Sequence, residues 1–218
     1  MCSLRLVEDS AGSSEEFEKR LSFWLEAGIW GQGELLPEDQ ELAELFDFPD
    51  LVGIRRVLNG LSERGALVSC SFSGQLLIGL AAAQTSMVAA SSADEIPAAH
   101  RAVLEARDAL FVQGAGLAAN RAAESEVREL RQVVDDAAAG RRRLPDGWLF
   151  ARSVIVASGN ATLLRVYDQL MAASGELPEA NLSFGVDEAW YRFVCRELVA
   201  AISMGWPQAA ARIAARIF

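Results

Sequence analysis

Residues 48–61 read FPDLVGIRRVLNGL, and this stretch decides the fold of the first third of the chain. Four apolar residues recur at the spacing i, i+3, i+4 and i+7, namely Ile54, Val57, Leu58 and Leu61. This spacing places them on one face of an α-helix. Gly65 follows at the position where a glycine typically ends a helix. The stretch therefore predicts one amphipathic helix with its apolar face packed inward and its polar face in solvent.

Two further helices are predicted before this helix, and a β-hairpin is predicted after it. Ser13–Ser14 suits the start of the first helix, and Pro37 suits the first turn of the second. Residues 66–80, ALVSCSFSGQLLIGL, indicate two short strands around Ser73–Gly74. Three helices and a hairpin in this order predict a winged helix-turn-helix over residues 1–80.

The rest of the chain is predicted to be a linker followed only by helices. Residues 81–98 are small and polar, which is typical of a linker. After the linker, six helical segments follow one another, separated by breaks such as Gly140. The fold class is therefore mainly α, with the winged helix-turn-helix followed by an all-helical bundle over residues 99–218.

The distribution of charge is uneven along the chain. The net charge of the 218 residues is −10. Residues 1–80 contain 6 Lys and Arg against 14 Asp and Glu, which gives −8. The part of the chain that has the pattern of a DNA-binding domain is thus strongly acidic. Since DNA affinity depends on cations that neutralise phosphates, only weak or atypical DNA contacts are expected.

Several classes of protein are disfavoured by the residues present. Cys2, Cys70 and Cys195 are far apart, so they do not form the paired spacing of a cysteine zinc site. His100 is the single histidine, which disfavours a histidine-based triad or a site with several histidine ligands. No nucleophile–base pair or phosphate loop is apparent, and an enzyme is not expected. The uncharged stretch 65–93 contains too many polar residues for a membrane span, and no signal peptide is recognised. A cytoplasmic protein is expected.

Three segments carry a resemblance to a known family. Residues 36–46, LPEDQELAELF, are similar to the Leu-Pro-Ser-Glu-Arg-Glu-Leu-Ala segment of the GntR family of bacterial transcription regulators. Residues 54–68, IRRVLNGLSERGALV, are similar to that family's Val-Arg-Glu-Ala-Leu helix and the Gly-Leu-Val strand that follows it. Residues 157–170, ASGNATLLRVYDQL, resemble the Ala-Ser-Gly-Asn-Pro-Leu-Leu segment of the branch whose C-terminal half is an all-helical FCD domain.

The resemblance implies a mode of action. Proteins of this branch form homodimers in which each third helix enters the major groove of a half-site. A small molecule such as an organic acid, often together with a metal ion, binds inside the helical domain. Its binding shifts the spacing of the two DNA-binding heads.

The DNA-contacting positions depart from the family pattern. Gln40 stands where the family has an arginine in the second helix, and residues 49–53, PDLVG, replace a Ser-Arg-Thr-Pro run. The candidate DNA-binding residues are Gln40, Arg55, Arg56, Asn59 and Gln75. The alternative for Arg55 and Arg56 is a solvated helix face with local ion pairs to Glu63 or Asp50.

The metal-ligand positions depart as well. The family uses an aspartate and three histidines, whose places are taken here by Gly147, Ala151, Cys195 and Arg216, with Asp146 displaced by one residue. No metal and no other cofactor is therefore expected. A metal-free effector pocket would place a fixed positive charge near the lost cation. Its candidate residues are Arg107, Trp148, Arg152, Cys195 and Arg216. The alternative is that the aromatic residues belong to the core and the arginines to the surface.

Two functions from different classes follow from these observations. The first is a ligand-responsive transcription regulator with weak or atypical DNA contacts, which acts as a homodimer. The second is a regulatory protein that keeps the fold but acts through protein contacts, for example with a paralogous regulator. The acidic first domain favours the second function, and the overall architecture favours the first.

Overall fold

The computed structural model describes residues 5–31, 34–69, 76–79, 98–141, 147–174 and 188–217. The chain divides into two compact units, Met1–Ala89 and Ala90–Phe218. The predicted linker lies outside the described residues up to residue 97. The predicted fold class, mainly α with a hairpin after the third helix, is confirmed.

The first unit contains three helices and a two-stranded sheet. Its elements are α1 (Arg5–Glu26), α2 (Asp39–Leu45), α3 (Leu51–Glu63), β1 (Leu67–Ser69) and β2 (Leu76–Ile78). The strands are antiparallel, and Leu67 lies opposite Ile78. Leu35 forms a bridge with Leu77 on the other edge of β2, so the segment before α2 extends the small sheet. The predicted turn at Ser73–Gly74 lies outside the described residues.

Two predicted helix starts are wrong. α1 begins at Arg5 and runs through Ser13–Ser14, because an interior serine costs a helix only a fraction of a kcal/mol and so does not force a start. α2 begins at Asp39, so Pro37 lies before the helix and not in its first turn. The backbone N–H of Glu38 donates to the Glu41 carboxylate at 3.1 Å, and this contact fixes the start of α2.

Aromatic side chains form the core of the first unit. Trp24 is fully buried, and its ring meets that of Phe46 edge-on at 5.2 Å. Phe17 packs against Phe46 and also stacks on Phe48 at 5.1 Å. The four apolar residues that predicted α3 are all buried. The apolar face of α3 therefore packs inward as predicted, and its other face lies in solvent.

The second unit, as far as it is described, is built from helices. They are α4 (Ala98–Arg121), α5 (Glu124–Ala138), α6 (Gly147–Ala157), α7 (Ala161–Ser174), α8 (Glu188–Ser203) and α9 (Pro207–Ala214). α4 is central, because it packs against α6, α7, α8 and α9. None of the helices in the described part of the chain is long and apolar enough to cross a membrane.

Gly114 allows α4 to approach α6 closely. A Cβ at this position would lie 2.6 Å from Cγ1 of Ile155, a fully buried residue. We expect Gly114→Ala to lower the free energy of unfolding by about 1–3 kcal/mol, because overpacking outweighs the better helix propensity of alanine. Urea unfolding followed by circular dichroism measures this change.

Gly60 provides the matched control within a helix. A Cβ there would meet only Nη1 of Arg64, at an ordinary 3.6 Å. Gly60→Ala is expected to stabilise the first unit by up to about 1 kcal/mol. A Gly114→Ala protein as stable as the wild type would show that α4 and α6 do not need this close contact.

Candidate nucleic-acid interface and effector site

The first turn of α3 presents apolar side chains to solvent. Asp50 caps the helix by accepting a hydrogen bond from the backbone N–H of Val52 at 3.1 Å. Leu51 and Val52 are 43% and 69% exposed. The turn that would meet a DNA groove first therefore carries a carboxylate and two aliphatic side chains, none of which can neutralise a phosphate.

Arg55 lies on the exposed face of α3 but is held by a carboxylate of α2. Its Nε lies 2.5 Å from Oδ2 of Asp39, with the arginine side chain 75% exposed. The partner is thus Asp39 and not Glu63 or Asp50. Because the pair is exposed, its net contribution to stability is small and a phosphate could replace the carboxylate.

The other candidate DNA contacts lie on the same two helices or outside the described residues. Arg56 and Asn59 are exposed on α3, and Gln40 is exposed on α2 next to Asp39. The ion pair between Asp39 and Arg55 links the start of α2 to the outer face of α3. Gln75 lies outside the described residues. The structure therefore places four of the five candidates on two adjoining helices.

Two more arginines of the first unit are engaged within the unit. Arg20 donates to the backbone carbonyl of Phe46 at 2.8 Å, and its guanidinium lies 5.0 Å from that ring. Arg64 pairs with Glu18 at 2.5 Å. These contacts reduce the positive charge that the unit can offer to a nucleic acid.

A buried arginine occupies the interior of the second unit. Arg107 on α4 is only 1% exposed, and Nη2 and Nε bond to one carboxylate oxygen of its neighbour Asp108 at 2.5 and 2.7 Å. Burial lowers the pKa of Arg107 even though Asp108 opposes this effect. Burial likewise raises the pKa of Asp108. Burial is therefore the largest influence on the pKa of both members of this ion pair.

Aromatic residues of α6 and α7 enclose this arginine. The guanidinium lies 5.2 Å from the ring of Trp148, which is 5.9 Å from the ring of Tyr167. The Tyr167 hydroxyl donates to the Trp148 carbonyl at 2.9 Å, and burial raises the pKa of this hydroxyl. The indole N–H of Trp148 is buried and makes no hydrogen bond with any described atom. Arg107 and Trp148, both predicted from the sequence, therefore meet in the core.

The other predicted effector residues lie on α6, on α8 and after α9. Arg152 forms a two-pronged ion pair with Asp168 at 2.7 and 2.9 Å, and this contact raises the pKa of the arginine. Cys195 is fully buried on α8, and burial raises the pKa of its thiol. Arg216 lies in the turn that follows α9.

Sequence reasoning missed Tyr167, Asp108 and Asp168. Asp108 adjoins the predicted Arg107 in the chain, so its position next to that residue was an available signal. Nothing in the sequence indicates that Asp168 pairs with Arg152, which lies 16 residues away. That pairing depends on how α6 and α7 pack.

The positions that hold a metal in the resembled family are partly described. Ala151 and Cys195 are buried, Gly147 begins α6, and Asp146 lies outside the described residues. Among the side chains that the structure describes, no three His, Cys, Asp or Glu residues are grouped as metal ligands would be. Alanine offers no ligand atom, and a buried thiol with a raised pKa is a poor one.

The second unit matches a known domain family. Residues 102–218 match the FCD domain. The chain belongs to the FCD-domain family, and the resemblance drawn from residues 157–170 is confirmed. Among curated proteins, none matches the sequence significantly.

Three solved structures match the chain over more than 90% of its length. The GntR protein of Streptococcus agalactiae is 22% identical with a TM-score of 0.40, over 94% of this chain and 96% of its own. E. coli McbR/YncC is 18% identical with a TM-score of 0.44, over 94% and 92%. A putative GntR transcriptional regulator of Rhodococcus sp. RHA1 is 14% identical with a TM-score of 0.34, over 93% and 91%.

Proposed function

We propose that this protein is a cytoplasmic, ligand-responsive transcription regulator of the GntR type that binds DNA as a homodimer. The observation that carries the proposal is the pairing of a winged helix, whose third helix exposes Arg55, Arg56 and Asn59, with a domain of the FCD family. An exposed helix face with two arginines and an amide can contact phosphates and base edges. The protein is not proposed to be an enzyme.

The DNA contacts are proposed to be weak or atypical. Asp50 and two aliphatic residues occupy the first turn of α3, and Asp39 competes with phosphate for Arg55. Few cations remain for counterion release, so the affinity should fall less steeply with salt than for a regulator with a basic head.

Fluorescence anisotropy with labelled fragments from the region around its gene tests this function. We expect saturable binding to one fragment at about 50 mM salt and weaker binding at about 200 mM. Arg55→Ala should weaken binding further. If no fragment binds even at low salt, the proposal of a DNA regulator fails, and a regulator that acts through protein contacts takes its place.

Removing the competing carboxylate should strengthen DNA binding. We expect Asp39→Asn to raise the affinity for the bound fragment several-fold and to steepen the salt dependence by about one phosphate contact, because Arg55 is released. Anisotropy titrations at several salt concentrations measure both quantities.

Asp47→Asn is the matched control for the change in charge. Asp47 is exposed, and its backbone has a φ of 51°, which asparagine also adopts. A smaller gain is expected from this variant. Equal gains from both variants would show that net charge matters and that Arg55 is not the phosphate contact.

For the second unit we propose a metal-free pocket for a small carboxylate. The Arg107 guanidinium and the Trp148 indole N–H are buried donors of α4 and α6, and a carboxylate could accept hydrogen bonds from both. Arg152, Cys195 and Arg216 complete the proposed lining. Binding of the acid should be unaffected by a metal chelator, whereas a loss of binding after chelation would contradict the metal-free pocket.

A further inference from the structure

The exposed face of α3 combines one aliphatic side chain with three polar ones. Val52, Arg55, Arg56 and Asn59 are all exposed, and they follow one another at the spacing i, i+3, i+4 and i+7. This spacing places them on one side of the helix, away from the buried residues. The four residues are called the α3 stripe below. The stripe therefore begins with a valine and continues with two cations and an amide.

The α3 stripe is cationic although it belongs to an acidic unit. Residues 1–80 carry a net charge of −8, from 6 Lys and Arg against 14 Asp and Glu. The charged side chains of the stripe are its two arginines. The exposed carboxylate of Glu63 lies further along the same side of α3, about 16 Å from Val52 along the helix axis. The charge of the stripe thus suits a polyanion better than a basic protein.

Asp50 holds the first turn of α3 without covering Val52. Its Oδ1 accepts a hydrogen bond from the backbone N–H of Val52 at 3.1 Å. Its Oδ2 lies 2.6 Å from the point that a Cβ of Gly53 would occupy, and Oγ of Ser14 lies 3.0 Å from the same point. Because Gly53 is buried, this carboxylate oxygen is turned toward α1. The backbone of Val52 is therefore fixed, while the residue stays 69% exposed.

A valine at this place in a recognition helix distinguishes among the base edges. In a helix-turn-helix protein the N-terminal residues of this helix contact base edges in the major groove. Those edges present hydrogen-bond donors and acceptors, and their one apolar group is the C5-methyl of thymine. A polar edge covered by valine loses its hydrogen bonds to water and gains none, which costs free energy. A thymine methyl covered by valine gains free energy because apolar surface leaves water.

We propose that Val52 is a specificity-determining residue that contacts the C5-methyl group of a thymine in each half-site. Arg55 and Arg56 bind phosphates beside it, and Asn59 lies about 10 Å further along α3. The first turn of α3 thereby selects a T·A base pair without using a charge or a hydrogen bond. This inference rests on the DNA binding of the proposed function. It adds the chemical group that the first turn recognises.

Deoxyuridine differs from thymidine in its base only by the missing C5-methyl group, so it tests this contact. The fragment bound in the anisotropy experiment is prepared with deoxyuridine in place of thymidine, first at every position and then at one position at a time. We expect the wild type to bind about 4-fold more weakly when one particular thymine of a half-site is replaced, which is the effect of one buried methyl group.

Val52→Ala should lose this discrimination. Since Val52 is exposed and alanine has the higher helix propensity, the variant is expected to fold like the wild type. It should bind the thymine fragment more weakly than the wild type does, and it should bind the thymine and deoxyuridine fragments with equal affinity. Comparing both proteins on both fragments separates the contact from any effect of deoxyuridine on the DNA itself.

Val166→Ala is the matched control. Val166 is 43% exposed on α7 in the second unit, so this variant should keep the 4-fold preference expected of the wild type. Equal binding of the two fragments by the wild type would overturn the inference and leave the proposed function in place. The same holds if Val52→Ala discriminates as strongly as the wild type. If no thymine fragment binds even at low salt, the proposed function fails together with this inference.

Discussion

Replacement of Arg107 by methionine is expected to abolish binding of the proposed carboxylate effector. The guanidinium is almost fully buried, and burial lowers the pKa of this arginine. A bound carboxylate would add charge-assisted hydrogen bonds in a poorly solvated site. Removal of one member of such a buried charge pair costs about 2–5 kcal/mol of binding free energy, which is at least about 30-fold in affinity. Stability should change little, because methionine fills similar space without a buried charge.

Calorimetric titration and thermal unfolding measure this effect. A panel of acetate, lactate, succinate and citrate is first screened for an acid that raises the melting temperature of the wild type. Arg107→Met should then lose both the heat of binding and the rise in melting temperature. Arg128→Met is the control, because Arg128 is 71% exposed on α5 and pairs with the exposed Glu124. Wild-type affinity in Arg107→Met would place the acid elsewhere, and a panel without effect would contradict the carboxylate pocket.

Replacement of Trp24 by alanine is expected to unfold the first unit while the second unit stays folded. Trp24 of α1 is fully buried, and its ring lies 5.9 Å from that of Trp30 and 5.2 Å from that of Phe46. Substitution of a buried tryptophan by alanine costs about 3–5 kcal/mol. A domain of this size is stabilised by only about 5–10 kcal/mol, so the loss removes most of its stability. DNA binding should disappear because the winged helix no longer forms.

Urea unfolding followed by circular dichroism, together with limited proteolysis, checks this outcome. We expect early cleavage within residues 1–80 and a protected fragment from the second unit. Trp190→Ala is the control, because Trp190 is 37% exposed and stacks on Phe193 at the start of α8. It should cost far less than the Trp24 substitution. If the first unit of Trp24→Ala resists the protease, the aromatic core does not hold the winged helix together.

The helices could be predicted because their signals are local. The apolar period of residues 54–61 and the glycine at 65 predicted α3, which spans Leu51–Glu63. The boundaries of α1 and α2 were predicted less well, since serine and proline only bias a helix start. The start of α2 depends instead on the local contact between Glu38 and Glu41.

The sequence predicted which residues belong to the candidate sites, but it did not predict which residues they contact. Arg55 is recognisable from the sequence, yet its partner Asp39 lies 16 residues away on another helix. Arg107 and Trp148 were both candidates from the family resemblance, but their contact, with Tyr167 beside them, depends on the packing of α4, α6 and α7. Side chains that are far apart in sequence meet only through tertiary structure.

The sequence by itself determined the order of elements, the acidic character of the first unit and membership of the FCD family, because periodicity, charge and motif are written along the chain. Only the tertiary structure decided that Asp39 holds Arg55 and that Arg107 is buried. Burial and ion pairing depend on which helix faces meet. The local sequence does not specify those contacts.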